Sequence, residues 1–355
     1  MPVSEALERC EGGFYIDLYG VRVNVRRLGA GGPAVSAIGL GCMGMSAGVY
    51  GPADRAESIA TIRAALDAGT DLLDTGDFYA MGHNELLIAE ALRGRPREDY
   101  LLSVKFGAQR GPDGAWLGYD ASPPAVKTAL AHSLTRLGVD YLDVYRPARL
   151  DPKVPIEETV GAIAEMVQAG YVRYIGLSEV GVETIRRAAA THPICDLQIE
   201  YALISRGIEA EILPACRELG IAITAYGVLS RGLISGHFSA DRELGANDFR
   251  SRAPRFAGEN LEQNLALVEK LRVLAEAKGA TVAQVAIAWV MARGDDVVAL
   301  VGARTRERLA EALGADELEL DAEDLRALEH AVPPDAAVGE RYPEPQMASL
   351  DSERG

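Results

Sequence analysis

Leu72-Leu73-Asp74-Thr75-Gly76-Asp77-Phe78-Tyr79 opens as an apolar strand, carries an acid where that strand ends and sets a tyrosine five positions beyond the acid. A second apolar run, Tyr100-Leu101-Leu102-Ser103-Val104-Lys105, ends in a lysine. In a barrel of parallel strands every C-terminal strand end opens onto one face. On that architecture Asp74, Tyr79 and Lys105 meet in one mouth, and an acid, a cation and a phenol together can deliver a proton. Taken singly, Asp74 reads as a carboxylate capping a turn and Tyr79 as a half-buried packing aromatic. Taken with Lys105, the three read as a catalytic set.

Working outward from this stretch, one unit recurs. Residues 37–41 form a short strand. Asp54 caps the helix that follows, with Glu57 at the capping-box position, an apolar stripe of Ile59, Ile62, Ala65 and Leu66, and Gly69 as its stop. Ser122-Pro123 starts another helix with a cap and a proline at its first position, and Gly138 closes it. Further helices are expected over 84–92, 155–169, 182–190, up to 219, and over 261–277, 282–292, 304–313 and 321–331. Strands are expected over 141–145, 172–177, 194–199, 221–226 and 297–301. Residues 20–28 alternate apolar and polar, as half of a hairpin would, and 236–257 read as a long polar loop. Eight strands alternating with helices, with no compositional break, predict an α/β protein with a single (β/α)8 TIM barrel over 21–335. A leader (1–20) and an extended, proline-rich tail (336–355) flank it.

Composition narrows the function. A net charge of −16 argues against nucleic acid and anionic membranes as partners. No apolar run reaches the roughly 18 residues of a membrane span, and the first residues lack a signal peptide's apolar core. Four cysteines (Cys10, Cys42, Cys195, Cys216) lie far apart, which fits a reduced, cytoplasmic protein. No HExxH, cysteine pair or acidic calcium loop points to a metal. Gly39-Leu40-Gly41-Cys42-Met43-Gly44 matches the GxGxxG dinucleotide fingerprint. A true fingerprint opens a helix at once, whereas two glycines and a proline follow here before any helix signal. These glycines instead let the backbone approach a ligand at the mouth.

Several motifs, in order along residues 20 to 345, resemble the aldo-keto reductases. They are Asp-Thr-x-Asp-x-Tyr at Asp74 to Tyr79, GHNE at Gly82 to Glu85, strand-end Lys105, GLSEV at Gly176 to Val180, QIEYALISR at Gln198 to Arg206 and GERYP at Gly339 to Pro343. The resemblance implies a barrel that binds NADP(H) across its mouth and reduces a small-molecule aldehyde or ketone. It makes Tyr79 the general acid, Lys105 the cation that lowers its pKa, and Asp74 the partner that fixes Lys105. It gives the nicotinamide end to Gly41, Cys42, Met43, Asp74, Ser178 and Gln198, with Tyr226 stacked on the ring. Glu179 stands where many members have asparagine. The pyrophosphate falls to Leu229, Arg231 and Gly232. Gly302, Ala303, Arg304, Arg308 and Glu311 take the adenine end, where a helix N-terminus and arginines suit a 2′-phosphate. Tyr50, Phe78, Trp116, Arg146, Ala148 and Arg149 are expected to line the substrate pocket.

One position departs from the family pattern. Ala148 stands where the family's catalytic histidine belongs, in Tyr145-Arg146-Pro147-Ala148-Arg149. Three readings stay open. Tyr79 suffices alone as the acid, Arg146 or Arg149 turns inward to polarise the carbonyl, or the chain is a non-catalytic NADPH-binding sensor or partner on the same barrel. Neither the particular carbonyl compound nor the oligomeric state is legible in the sequence.

Overall fold

Eight apolar segments that alternate with helices close into a parallel barrel in the computed structural model, which describes residues 14–16 and 22–354. In chain order the strands are β1 (Phe14–Ile16), β2 (Arg22–Arg27), β3 (Ala34–Ser36), β4 (Ile38–Gly41), β5 (Leu72–Gly76), β6 (Leu101–Phe106), β7 (Ala108–Arg110), β8 (Trp116–Tyr119), β9 (Leu142–Pro147), β10 (Val172–Ser178), β11 (Ile194–Glu200), β12 (Ala222–Tyr226) and β13 (Val297–Val301). The barrel runs β4-β5-β6-β9-β10-β11-β12-β13 and closes where Val301 of β13 pairs with Leu40 of β4. Helices supply the crossovers that parallel pairing demands. They are α1 (Arg55–Asp67), α2 (His83–Ala91), α3 (Pro123–Leu137), α4 (Ile156–Gln168), α5 (Val182–Thr191), α6 (Ile212–Glu218), α7 (Gly258–Ala277) and α8 (Val282–Met291). After the last strand come α9 (Arg306–Leu313), α10 (Ala322–Ala331) and α11 (Glu344–Met347). Among the described residues no single helix is long and apolar enough to cross a membrane.

Local chemistry explains the helix ends. The Asp54 carboxylate accepts from the Glu57 amide at 2.8 Å, so α1 starts where expected. The reciprocal half of a capping box is missing because the Glu57 carboxylate binds Arg306 instead, tying α1 to α9. Gly138 ends α3 at φ +69°, a backbone conformation glycine adopts without steric penalty.

Successive side chains on a strand alternate between its two faces, and this sorts the barrel interior into layers. The hairpin of β2 and β3 packs Leu28 and Val35 against Leu72, Val144, Cys195, Ala222 and Val298, giving one apolar end. Two residues further along β5, β9 and β12 stand Asp74, Arg146 and Thr224. With Ser103 and Asp196 these are buried and bonded to one another, so the next layer is polar. Barrel interiors are normally filled by branched aliphatic side chains.

Two expectations meet a different outcome. Most of the 1–20 leader lies outside the described residues, but its segment β1 pairs antiparallel with β2. The tail is folded rather than extended. It forms α11, buries Arg341, and bonds Asp351 Oδ2 to the amide of Gly181 at 2.9 Å. The cause is an ion pair described below, a long-range contact to which local composition is blind.

The polar layer leaves no room on β10. A Cβ on Gly176 would lie 2.5 Å from Asp196 Oδ1 and 3.0 Å from both Arg146 Cζ and Val144 Cγ1. Gly176→Ala is therefore expected to lower stability by about 2 kcal/mol through overpacking. Gly161→Ala, in α4 where a Cβ meets nothing within 4 Å, should gain about 0.5–1 kcal/mol. Urea denaturation of both variants checks the contrast.

Candidate active site

Strands β5, β6 and β11 bring Asp74, Lys105 and Gln198 together, all buried. Lys105 Nζ forms a close ion pair with Asp74 Oδ1 and donates to Gln198 Oε1 at 2.9 Å. Gln198 Nε2 donates to Asp74 Oδ2 at 2.8 Å, and Ser103 Oγ to the same oxygen at 2.7 Å. Gln198, expected beside Ser178 at the nicotinamide, thus has its amide engaged with the ion pair. Burial pushes the Lys105 amine down, and Asp74 opposes that.

Tyr79 stands over this set, its ring centroid 5.3 Å from Lys105 Nζ and edge-on to Phe78. Burial, and then the charge of Asp74, push its phenol well above the ordinary value. The cation that chiefly opposes them is Arg149 rather than Lys105, because Asp74 takes up the lysine's charge.

The segment after β9 holds the position that departs from the family. Ala148 is 3% exposed and donates its amide to the carbonyl of Phe106 at 2.8 Å. Arg149 Nη1 donates to the Ala148 carbonyl at 2.6 Å and to Ser178 Oγ at 3.4 Å. Among the described residues Arg149 has no ion-pair partner, and its charge reaches Tyr226, Tyr342, Glu179 and Tyr119. Arg146 corrects an expectation. It points into the barrel, 1% exposed, with Nη1 3.0 Å from Asp196 Oδ2 and Nη2 donating to Ser103 Oγ at 3.0 Å. It does not line the substrate pocket, because strand alternation turns it beneath the mouth.

Across the mouth, Tyr226 donates its hydroxyl to Glu179 Oε1 at 2.6 Å and shares a hydrogen bond with Tyr342 at 2.8 Å. Glu179, at φ +52°, binds Arg341 through both carboxylate oxygens, at 3.0 and 2.7 Å. Burial works to raise its carboxyl, but Arg341, Arg149 and Tyr226 outweigh that and hold it at about 2. Glu200 accepts from Arg231 Nη2 at 3.0 Å and lies 3.6 Å from Arg255 and 3.4 Å from Arg341. Arg231 was expected at the pyrophosphate. Its guanidinium is instead held in this buried pair and lies over the Tyr342 ring, 4.4 Å from the centroid.

The remaining positions expected to hold the cofactor follow from strand neighbours and the loops after them. Gly41 and Gly302 are neighbours because β4 and β13 are, and a Cβ on Gly302 would lie 3.7 Å from the Gly41 carbonyl oxygen. Cys42 and Met43 follow β4, where Asn84 Nδ2 donates to the Cys42 carbonyl at 2.9 Å. Leu229 and Gly232 flank Ser230, whose buried hydroxyl has no partner. Beyond Gly302 and Ala303, Arg304 donates to the carbonyls of Tyr50 and Pro52. Arg308 and Glu311 on α9 bond each other at 2.9 Å and meet His237. An orphaned hydroxyl between glycine-permitted turns and arginines at a helix start fit a dinucleotide phosphate chain. Tyr50 bridges to Asp248, and Phe249 donates its amide to the Val49 carbonyl at 2.8 Å, so two loops join over the mouth. Trp116 stands apart on the β7–β8 hairpin, 50% exposed against Tyr119 and Arg110.

Sequence reasoning passed over Ser103, Glu200, Arg341 and Tyr342 as site residues. The signal for Ser103 is its place two residues before Lys105, which puts both on one strand face. Arg341 and Tyr342 lay in the GERYP motif without an assigned role.

Comparison with known proteins agrees with this geometry. The model of the Aldo/keto reductase family matches residues 37–333. A probable aldo-keto reductase 1 of Glycine max is 42% identical over 318 residues, which are 89% of this chain and 91% of that one. The structure of a glycerol dehydrogenase from Gluconobacter oxydans superposes with a TM-score of 0.78 at 29% identity, over 86% of this chain and 94% of its own. An aldo/keto reductase from Klebsiella pneumoniae, solved with NADP and acetate, does so with a TM-score of 0.70 at 28% identity, over 90% and 98%. The chain belongs to the aldo/keto reductase family.

Two measurements test the electrostatics. Arg341→Met leaves Glu179 buried without its main cation, so a loss of about 3 kcal/mol is expected, together with faster proteolysis of the tail. Asp77, with one buried unpartnered oxygen, is raised from 3.8 to about 7 by burial and then by Glu85. The folded state therefore keeps a proton that the unfolded chain releases near pH 4. The stability this contributes is complete below that pH and is lost as pH rises to about 7. Asp77→Asn should exceed the wild type in stability at pH 8 but not at pH 4, as read from urea midpoints.

Proposed function

We propose that this protein is an NADPH-dependent oxidoreductase that reduces an aldehyde or ketone to an alcohol, with Tyr79 as general acid. The observation that carries the reading is the buried Asp74–Lys105 pair, braced by Gln198 and Ser103 directly beneath the Tyr79 ring. Bound NADPH supplies the hydride, from C4 of its nicotinamide. Ser178 and Tyr226 hold that ring, backbone at Gly41, Cys42 and Met43 flanks its ribose, and Leu229 and Gly232 admit the pyrophosphate. Gly302, Ala303, Arg304, Arg308 and Glu311 take the adenine end.

Tyr79 gives its hydroxyl proton to the carbonyl oxygen as negative charge develops there. Asp74 holds Lys105 charged and in place under the ring. Arg149, with donors to spare, takes over the orienting part of the absent histidine and lowers the phenol towards a useful acidity. The volume at Ala148 admits a bulkier substrate than a histidine would. Tyr50 and Phe78 shape the pocket beside Tyr79, with Trp116 at its outer edge. A reducing compartment, the cytoplasm, suits the buried unpaired thiols of Cys42, Cys195 and Cys216.

A second reading, a weakly catalytic or non-catalytic NADPH-binding sensor, is favoured by Ala148 and by a phenol that burial makes less acidic. Stopped-flow NADPH oxidation over a panel of aldehydes and ketones separates the two. Turnover by the wild type with a loss of at least ~10²-fold in Tyr79→Phe supports the reductase. Wild-type rates no faster than those of Tyr79→Phe across the panel overturn it. A gain in Ala148→His would mark the absent histidine as a handicap, and a loss would mark the alanine as room for substrate.

A further inference from the structure

The catalytic ion pair does not stand alone in the barrel. Beneath it lies a second one, Arg146 with Asp196, at 3.0 Å and 1% and 0% side-chain exposure. The two are joined by one hydroxyl: Arg146 Nη2 donates to Ser103 Oγ at 3.0 Å, and Ser103 Oγ donates to Asp74 Oδ2 at 2.7 Å. Asp196 is held in turn by Thr224 on the next strand. Five strands (β5, β6, β9, β11 and β12) thus contribute one polar side chain each to a single chain of contacts ending at Asp74.

Such a layer is costly. Two buried charges lose their hydration, and a well-packed apolar pair of the same volume is often neutral or more stable. The barrel also gives up a side chain at Gly176, where a Cβ would strike both partners. Packing alone does not account for this arrangement, whereas a demand for a defined Asp74 does. With Ser103 donating, Asp74 Oδ2 is turned to Gln198 and Oδ1 to Lys105. The direction of the Ser103 hydroxyl is itself set, because Arg146 can only donate to it.

We propose that Arg146 and Asp196 form a supporting ion pair that orients Asp74 through Ser103, which makes Arg146 a positioning residue for proton delivery by Tyr79. The inference rests on the reductase reading of the same site. The charged and titratable groups facing Lys105 are Asp74 from β5, Tyr79 from the turn after it, Cys42 from the end of β4, Arg146 from β9 and Arg149 from the loop that follows. Of these, Arg146 and Arg149 lower the Lys105 amine and Asp74 raises it. Removing Arg146 therefore moves the Lys105 titration to higher pH.

The test uses the full chain with Ser103→Ala, Ser103→Thr and the double variant Arg146→Met/Asp196→Leu, which removes both charges and leaves neither orphaned. Two quantities are read: the pH profile of kcat with NADPH and an aldehyde, and the Lys105 amine titration by 15N NMR. The chain has five lysines, and Lys105→Met assigns the signal. Ser103→Ala is expected to lose at least ~10-fold in kcat, the worth of a hydrogen bond to a charged group, with KM for NADPH unchanged. Ser103→Thr should restore most of it. In the double variant the Lys105 midpoint should move up, because the cation that lowers it is gone, and kcat should fall as it does in Ser103→Ala. A folded double variant with an unmoved Lys105 midpoint, or a Ser103→Ala variant with wild-type kcat, overturns the proposal. If the wild type reduces no carbonyl, the reductase reading falls, and the Lys105 titration still decides whether the lower pair acts on the upper.

Discussion

A carboxylate and an ammonium placed side by side inside a barrel must be surrounded by groups that replace the water both have lost. Around Asp74 and Lys105 that requirement spreads through the interior. Gln198 and Ser103 fill the remaining valences of Asp74, Ser103 requires a donor below it, Arg146 requires an anion, and Asp196 requires Thr224. Gly176 is then the residue that fits opposite. One ion pair at the mouth thus dictates residues from five strands, and the apolar plug of Leu28 and Val35 seals the far end from water.

A second cluster organises the opposite wall. Glu179 and Glu200 end adjacent parallel strands, and the Glu200 amide donates to Glu179 Oε1 at 3.0 Å. Two buried carboxylates so close repel each other unless cations intervene. Arg231, Arg255 and Arg341 do so, from three different loops. The same cluster positions Tyr226, since its hydroxyl reaches both Glu179 and Tyr342. Placement of the aromatic ring and anchoring of the tail are one arrangement.

The fold was legible because parallel strands and their crossover helices leave long, regular patterns, and each of the eight strands falls where its apolar run ends in a turn. Asp74, Tyr79 and Lys105 were legible for the same reason, since strand ends in a barrel share one face. The interior network was not. Ser103, Arg146 and Asp196 sit in runs that read as apolar, and only alternation shows that they point inward together. Arg146 was assigned to the pocket because its strand was expected to end at Tyr145; the strand runs on to Pro147, so Arg146 lies within it and faces the interior beneath the mouth. Arg231 was assigned to the pyrophosphate and Arg341 to nothing, because their buried partners Glu200 and Glu179 lie 31 and 162 residues away in sequence.

The barrel's closing seam, Ile38 to Leu40 against Ala299 to Val301, joins strands from opposite ends of the chain. Synthesis runs from the N-terminus, so β4 has one open edge while the next 250 or so residues are made. Strands β5 and β6, which carry Asp74 and Lys105, are synthesised early, yet the approach of Gly41 to Gly302 exists only once β13 has docked, and the Glu179 ion pair only once Arg341 has emerged. Chains interrupted before that point carry Asp74, Tyr79 and Lys105 but no completed mouth. The last segments to be made thus complete the surroundings of the first.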